Sequence, residues 1–303
     1  MAQTYLFRQQ WANVIALCTE VIGSGEYSLT PNFKDIWADG LNGQGKNGKE
    51  SIFETQNAVG AGAASNSAVD YGNNWGTSQQ VRQGGAPIEW NLGWGWNTPT
   101  QNLVDAWENT DPRKSMTILY SGQFDGGTAT GGYGATLPPY NADEIGGIAR
   151  KYWNKKVYSD PNMRQFTGYI NNSGQARWID HRVLRYADVI LMLAEAQNET
   201  GDGADAAINL EKIRDRASGN LGPTRTIVPP IAFVDQAQMR AAIKNERRWE
   251  FAMEGYRFYD LVRWGDAITV LGGLGYTNRC RYYPIPQTAL DQAGGVLVQN
   301  PEW

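Results

Sequence analysis

Histidine occurs once and cysteine twice in 303 residues, and each shortage removes a class of chemistry. His181 alone cannot supply a zinc site, and no GxSxG elbow is present to carry a nucleophilic serine. Cys18 and Cys280, one near each end, exclude a disulfide framework and leave a metal site without thiolates. GDGAD at 201–205 starts like a calcium loop but lacks the glutamate twelve positions after Asp202, and its Gly and Ala positions cannot ligate. No metal and no cofactor is implied. No run of Lys and Arg exceeds a pair, and the formal net charge is −4, so no basic field exists to neutralise phosphates and nucleic acid is excluded as a partner. The longest apolar run, VILMLA at 189–194, falls far short of the roughly 20 residues of a spanning helix. Cys18 follows WANVIAL, with Leu17 directly upstream, which is not the small-residue setting of a lipid-anchored cysteine. Contact with a membrane would therefore need an anchor that these residues do not contain.

What the chain has instead is aromatic rings and glycine: Trp 12, Tyr 15 and Gly 35, concentrated in the middle. WANVIALCTEVI (11–22) has apolar residues at helical spacing and Gly23 as a stop, and SIFETQ (51–56) alternates like a short strand. Over 58–181 helical periodicity mostly disappears, apart from a helix over 99–108, and an irregular region of that length in a compact protein is usually functional. The segment 182–303 is helical. Helices are predicted over 182–203 and 204–219, the second stopped by Gly219, and a second pair over 234–255 and 256–272. The expected fold is therefore mainly α, one domain over 1–303, with helix-turn-helix pairs of tetratricopeptide-like form. Its helical scaffold is 1–57 and 182–303, and its loop-rich binding region is 58–181.

The densest set of titratable groups is ERRWEFAMEGYRFYDLVRWGDA (246–267). At about 100° per residue, Arg185, Asp188, Glu195 and Glu199 fall within roughly 80° of one another, and Glu246, Arg247, Glu250 and Glu254 within roughly 100°. Two such acids could serve as general acid and base for glycoside hydrolysis. Each has an arginine within one turn, however, which lowers a carboxyl pKa, whereas a general acid needs it raised. Arg185, Asp188, Glu195, Glu246, Arg247, Glu250 and Glu254 are accordingly read as a structural ion network, with no catalytic residue among them.

RYADVILMLAEAQNE, the 246–267 stretch and the ending RYYPIPQTALDQAGGVLVQNPEW resemble segments of the SusD/RagB family of bacterial surface nutrient-capture lipoproteins. YSLTPNFKDIW with SIFETQ, and GWGWNTPTQNLVDAWENTDPRKS, are similar to family segments in the same order. The resemblance implies a tetratricopeptide-like scaffold with a glycan-binding half. It also implies a place at the outer-membrane cell surface, a SusC-like TonB-dependent transporter as partner, and no catalysis. Family members open with a lipobox and a further helical pair, and about the first third of that pattern has no counterpart here.

Sugar rings stack on Trp and Tyr while their hydroxyls pair with amides and acids. The expected ligand set is Tyr71, Asn73, Asn74 and Trp75; Trp90, Trp94 and Trp96; and Tyr133 and Tyr140 in the glycine-rich loop. Two other readings differ in class. A glycoside-acting enzyme would use the loop acids Glu89, Asp105 or Asp143 with Glu144, and a helical-repeat adaptor would bind peptide in a polar groove.

Overall fold

The computed structural model describes residues 1–38, 45–57, 74–83, 90–108, 110–141, 148, 150–161 and 179–303. The protein is mainly helical, and its chain divides into two compact units, Met1–Met253 and Glu254–Trp303.

In the first unit α1 (Ala2–Phe7) packs on α2 (Trp11–Gly23), and α2 packs on α6 (Tyr186–Glu199). Helix α6 is buried nearly all round, and it also packs on α7 (Gly203–Ser218) and α8 (Gln236–Glu250). Asp235 caps α8, accepting from the Gln238 N–H at 2.8 Å, and Gly219 ends α7 in the left-handed conformation. The predicted helix over 182–203 begins only at Tyr186. His181–Arg185 is instead a strand, β4, antiparallel to β1 (Ser51–Thr55) with Ser51 opposite Arg185. Its apolar pattern runs straight into the helix, so only pairing with a segment about 130 residues away makes it extended. Arg185 therefore sits at the helix entrance and not on the helical stripe.

The loop-rich part contains α3 (Asn74–Gln79), α4 (Gln101–Ala106) and α5 (Pro112–Thr117), together with the antiparallel pair β2 (Ile118–Tyr120) and β3 (Tyr152–Asn154). It has a core of its own, which includes Val81, Trp90, Leu92, Leu119, Leu137, Ile148, Trp153 and Tyr158. A second cluster joins Val104, Trp107 and Ile118 to Ala252.

In the second unit the helix expected over 256–272 is two, α9 (Arg257–Trp264) and α10 (Ala267–Leu271), because Gly265 turns left-handed between them. A short α11 (Gln287–Gln292) follows. Glu254, placed with the ion network from sequence, opens this unit and is buried.

The network in the first unit centres on Glu250, which is fully buried. Its Oε1 accepts from Arg185 Nη1 at 3.0 Å and from Arg216 Nη2, and its Oε2 from Arg113 Nη1 at 3.1 Å. Glu50 accepts from Arg216 Nη1 at 2.9 Å and from Arg185. Glu246 bridges Arg113 at 2.6 Å and Arg214 at 2.8 Å. Arg247 pairs separately with Asp188 at 2.8 Å, and Asp188 also accepts from the Gln3 amide. Glu195 is buried on α6. Burial alone would raise the Glu250 pKa, but Arg216, Arg185, Arg113 and Lys156 overcome it and hold the carboxyl below its ordinary 4.5.

Removing one partner of a buried ionic group leaves uncompensated charge, so Glu250→Gln should cost about 3–5 kcal/mol of stability, read by chemical denaturation. Because the folded pKa is lowered, the contribution of Glu250 is complete above pH 4.5 and is lost as pH falls through the lower folded value. Wild type should therefore lose stability on acidification below about pH 4.5 more steeply than Glu250→Gln does, as measured by melting temperature against pH.

Candidate functional site

The rings expected to meet a ligand lie in different settings. Tyr71 and Asn73 fall outside the described residues, as do Glu89, Asp143 and Glu144. Asn74 opens α3. Trp75 is half-buried, its ring stacked on His181 at 4.2 Å with 13° between the planes, so one face is covered. Trp90 is a correction. Only 6% exposed, it belongs to the core of the loop-rich part, because the apolar neighbours its sequence lacks arrive from Val81, Leu119 and Trp153 in space.

Trp94 and Trp96 meet edge to face at 5.1 Å, and Trp96 is 60% exposed. The backbone behind them is tied down at four N–H groups. The Leu92 and Gly93 N–H groups donate to Val81 O, Gly95 N–H to Gln80 O at 3.1 Å, and Trp96 N–H to Ser78 O at 2.8 Å. Residues 78–81 are fixed in turn. Gln80 Oε1 accepts from Ser159 N–H and Oγ, and Gln79 Oε1 accepts from Asn97 and Asn154. Gly95 has φ +70°, and a Cβ there would stand 3.1 Å from both Arg82 Cβ and the Trp153 ring. The chain at Gly95 thus lies close against buried Trp153.

Tyr133 and Tyr140 are both exposed rings. Tyr133 packs edge-on against Tyr158 at 5.2 Å and donates from its hydroxyl to Tyr158 O at 3.2 Å. Tyr140 lies 5.7 Å from the Lys151 ammonium. The glycine-rich loop that carries Tyr133 is wound on Asp125, which sequence reasoning missed. Asp125 Oδ1 accepts from Gly127 N–H at 2.8 Å and Gly134 N–H at 3.1 Å, and Oδ2 accepts from Tyr133 N–H at 2.8 Å and the Tyr158 hydroxyl at 3.2 Å. Burial would raise its pKa, but these backbone bonds overcome that and lower it. A Cβ at Gly132 would fall 2.5 Å from Asp125 Oδ1, so the close approach requires glycine. Lys155 braces the same loop, donating to Asp125 O, to Ser115 O at 3.0 Å and to Thr130 Oγ1 at 2.8 Å. The exposed Phe124 and the Lys155 contact also escaped sequence reasoning; an Asp directly before a GG-x₃-GG run was the available signal.

Chemically, the site offers rings, amides and hydroxyls. Asp105 is an exposed acid whose Oδ1 accepts from the Gln101 amide at 2.8 Å. Glu246 and Glu250 are closed off from solvent and bound to arginine. Among the described residues no group of three His, Cys, Asp or Glu could hold a metal ion, and no helix is long and apolar enough to cross a membrane.

Comparison with known proteins agrees with this architecture. SusD-like protein P25 from Formosa agariphila is 26% identical across 99% of this chain and 56% of its own length. SusD-like protein P38 from the same organism is 26% identical across 94% of this chain and 54% of its own length. The chain thus spans a little over half the length of these relatives. Among solved structures, surface glycan-binding protein A from Bacteroides thetaiotaomicron in complex with laminarihexaose matches with a TM-score of 0.71 and 23% identity, over 99% of this chain and 62% of that one. A laminarin-binding SusD-like protein matches with a TM-score of 0.70 and 28% identity, over 100% of this chain and 61% of that one. The profile of the SusD family fits residues 49–281, which take in the β1–β4 pair, the helices from α6 to α10 and the loop-rich part, and the chain belongs to that family.

Proposed function

We propose that this chain binds an oligo- or polysaccharide at the bacterial cell surface, without catalysis, and presents it to a SusC-like TonB-dependent outer-membrane transporter. Membership of the SusD family and the likeness to a laminarin-binding relative at 28% identity support the ligand class. The observation that carries the reading is Trp96, 60% exposed although its backbone is bonded to α3 and its loop is pressed on Trp153. An indole fixed outward in this way loses little freedom on binding, so stacking on the apolar face of a sugar is not spent on ordering the ring. Trp94 braces it edge-on, and the exposed Tyr133 and Tyr140 supply further faces of the same kind.

Affinity electrophoresis in gels containing soluble glycans, laminarin among them, tests this. Trp96→Ala should weaken retention by roughly tenfold or more, while stability changes by less than about 1 kcal/mol, since an exposed ring is removed. Undiminished retention of this variant on every glycan that retards wild type would overturn the assignment. Gly95→Ala should act on the same platform from behind. A side chain at φ +70° costs about 1–2 kcal/mol and would also push on Trp153, so the variant should lose both stability and affinity with Trp96 intact.

A further inference from the structure

Residues 122–125 and 135–138 run antiparallel on either side of the glycine-rich loop, and Phe124 stands directly opposite Thr136. Asp125 N–H donates to Ala135 O at 2.9 Å, and Leu137 N–H donates to Gln123 O at 3.0 Å. Both bonds run between the neighbours of Phe124 and Thr136, which makes these two a non-hydrogen-bonded pair. In such a pair the Cα atoms are about 4.5 Å apart, and the side chains rise close together from one face.

The two faces of this hairpin differ. Asp125 and Leu137, each next in sequence to a member of the pair, alternate to the inner face and are buried. Phe124 is 60% exposed, and Thr136 is exposed beside it. Gly127 comes up to the rim of the Phe124 ring, where a Cβ would stand 3.5 Å from Cζ. The hairpin is held from within. Gly122 N–H donates to Pro138 O at 2.9 Å, and the Asp125 carboxylate gathers the Gly127 and Tyr133 N–H groups. Trp153 Nε1 donates to Ser121 Oγ at 2.9 Å, and it is against the Trp153 ring that Gly95 lies. The hairpin and the Trp96 segment thus share one buried support.

An exposed ring taken singly calls for no explanation. This one has its backbone neighbours bonded on both sides, and next to it stands a hydroxyl that can both donate and accept. An apolar ring beside a hydroxyl offers a sugar both kinds of contact it can make, one for its C–H face and one for its hydroxyl groups.

We propose that Phe124 and Thr136 form a further glycan contact, the ring stacking on the apolar face of one sugar and the threonine hydroxyl bonding to that sugar or its neighbour. The inference rests on the glycan-capture reading and adds to it a contact outside the Trp96 platform. The competing role is a cross-strand pair that only steadies the hairpin.

Affinity electrophoresis in gels containing laminarin, xylan, galactomannan or pullulan separates the two roles. Thr136→Val is the decisive variant, because it keeps the branched shape and the preference for extended backbone and deletes only the hydroxyl. On a glycan that retards wild type, Phe124→Ala and Thr136→Val should each weaken binding by roughly threefold to tenfold, the effect of one stacking or hydrogen-bonding contact. The melting temperature of Thr136→Val should match that of wild type. A loss confined to one variant, absent from both, or matched by a fall in the Thr136→Val melting temperature overturns the inference and leaves the capture reading standing. If wild type is retained by no glycan in the panel, the capture reading itself falls and this contact with it.

Discussion

The carboxylate of Glu250 is the point on which the first unit depends. It is buried at the end of α8, and three arginines from three different segments converge on it: Arg113 from α5, Arg185 from the end of β4 and Arg216 from α7. A buried charge of this kind is a poor source of net stability, because desolvation offsets most of the attraction. Its effect is on register, since no one segment can slide without stranding a charge. The constraint also passes to the loop-rich part. Lys156 donates to Glu250 O at 3.0 Å, while its neighbour Lys155 braces the glycine-rich loop. Two consecutive lysines in one 3₁₀ turn thus tie the ion network to the loop that carries Tyr133.

One unit thus holds a buried ion network and, in its loop-rich part, exposed rings. The acids most closely grouped in the sequence are consumed in holding the scaffold, with the Glu250 pKa driven down and not up. Rings that a globular protein would ordinarily bury are held outward by backbone bonding and by glycines that let the chain lie close to buried tryptophan and aspartate. Rings held in this way suit the proposed capture of extended chains of repeating sugars, where each stacking contact is weak and ordering costs must be small.

The sequence discloses what is local. Helix α2, with apolar residues at helical spacing and Gly23 behind them, and α7, stopped by Gly219, are legible because their signals lie within one or two turns. Trp96 is legible as a ring among glycines and amides. Hidden from sequence is whatever depends on a distant partner. HRVLR extends only because β1 is beside it, Trp90 is buried in a cluster that reaches 68 positions further along the chain, and Arg113 joins the ion network through acids more than 130 positions away. Asp125 stands in plain view before its glycines, but its role appears only when the loop closes on it.

The central claim is capture without chemistry, and one measurement addresses it directly. Purified protein is incubated with a panel of soluble neutral and anionic polysaccharides, and bound glycan and newly formed reducing ends are followed in the same samples. The account predicts retention of at least one glycan with no rise in reducing ends over the protein-free control. Reducing ends accumulating in proportion to protein, or no retention of any glycan in the panel, would contradict it.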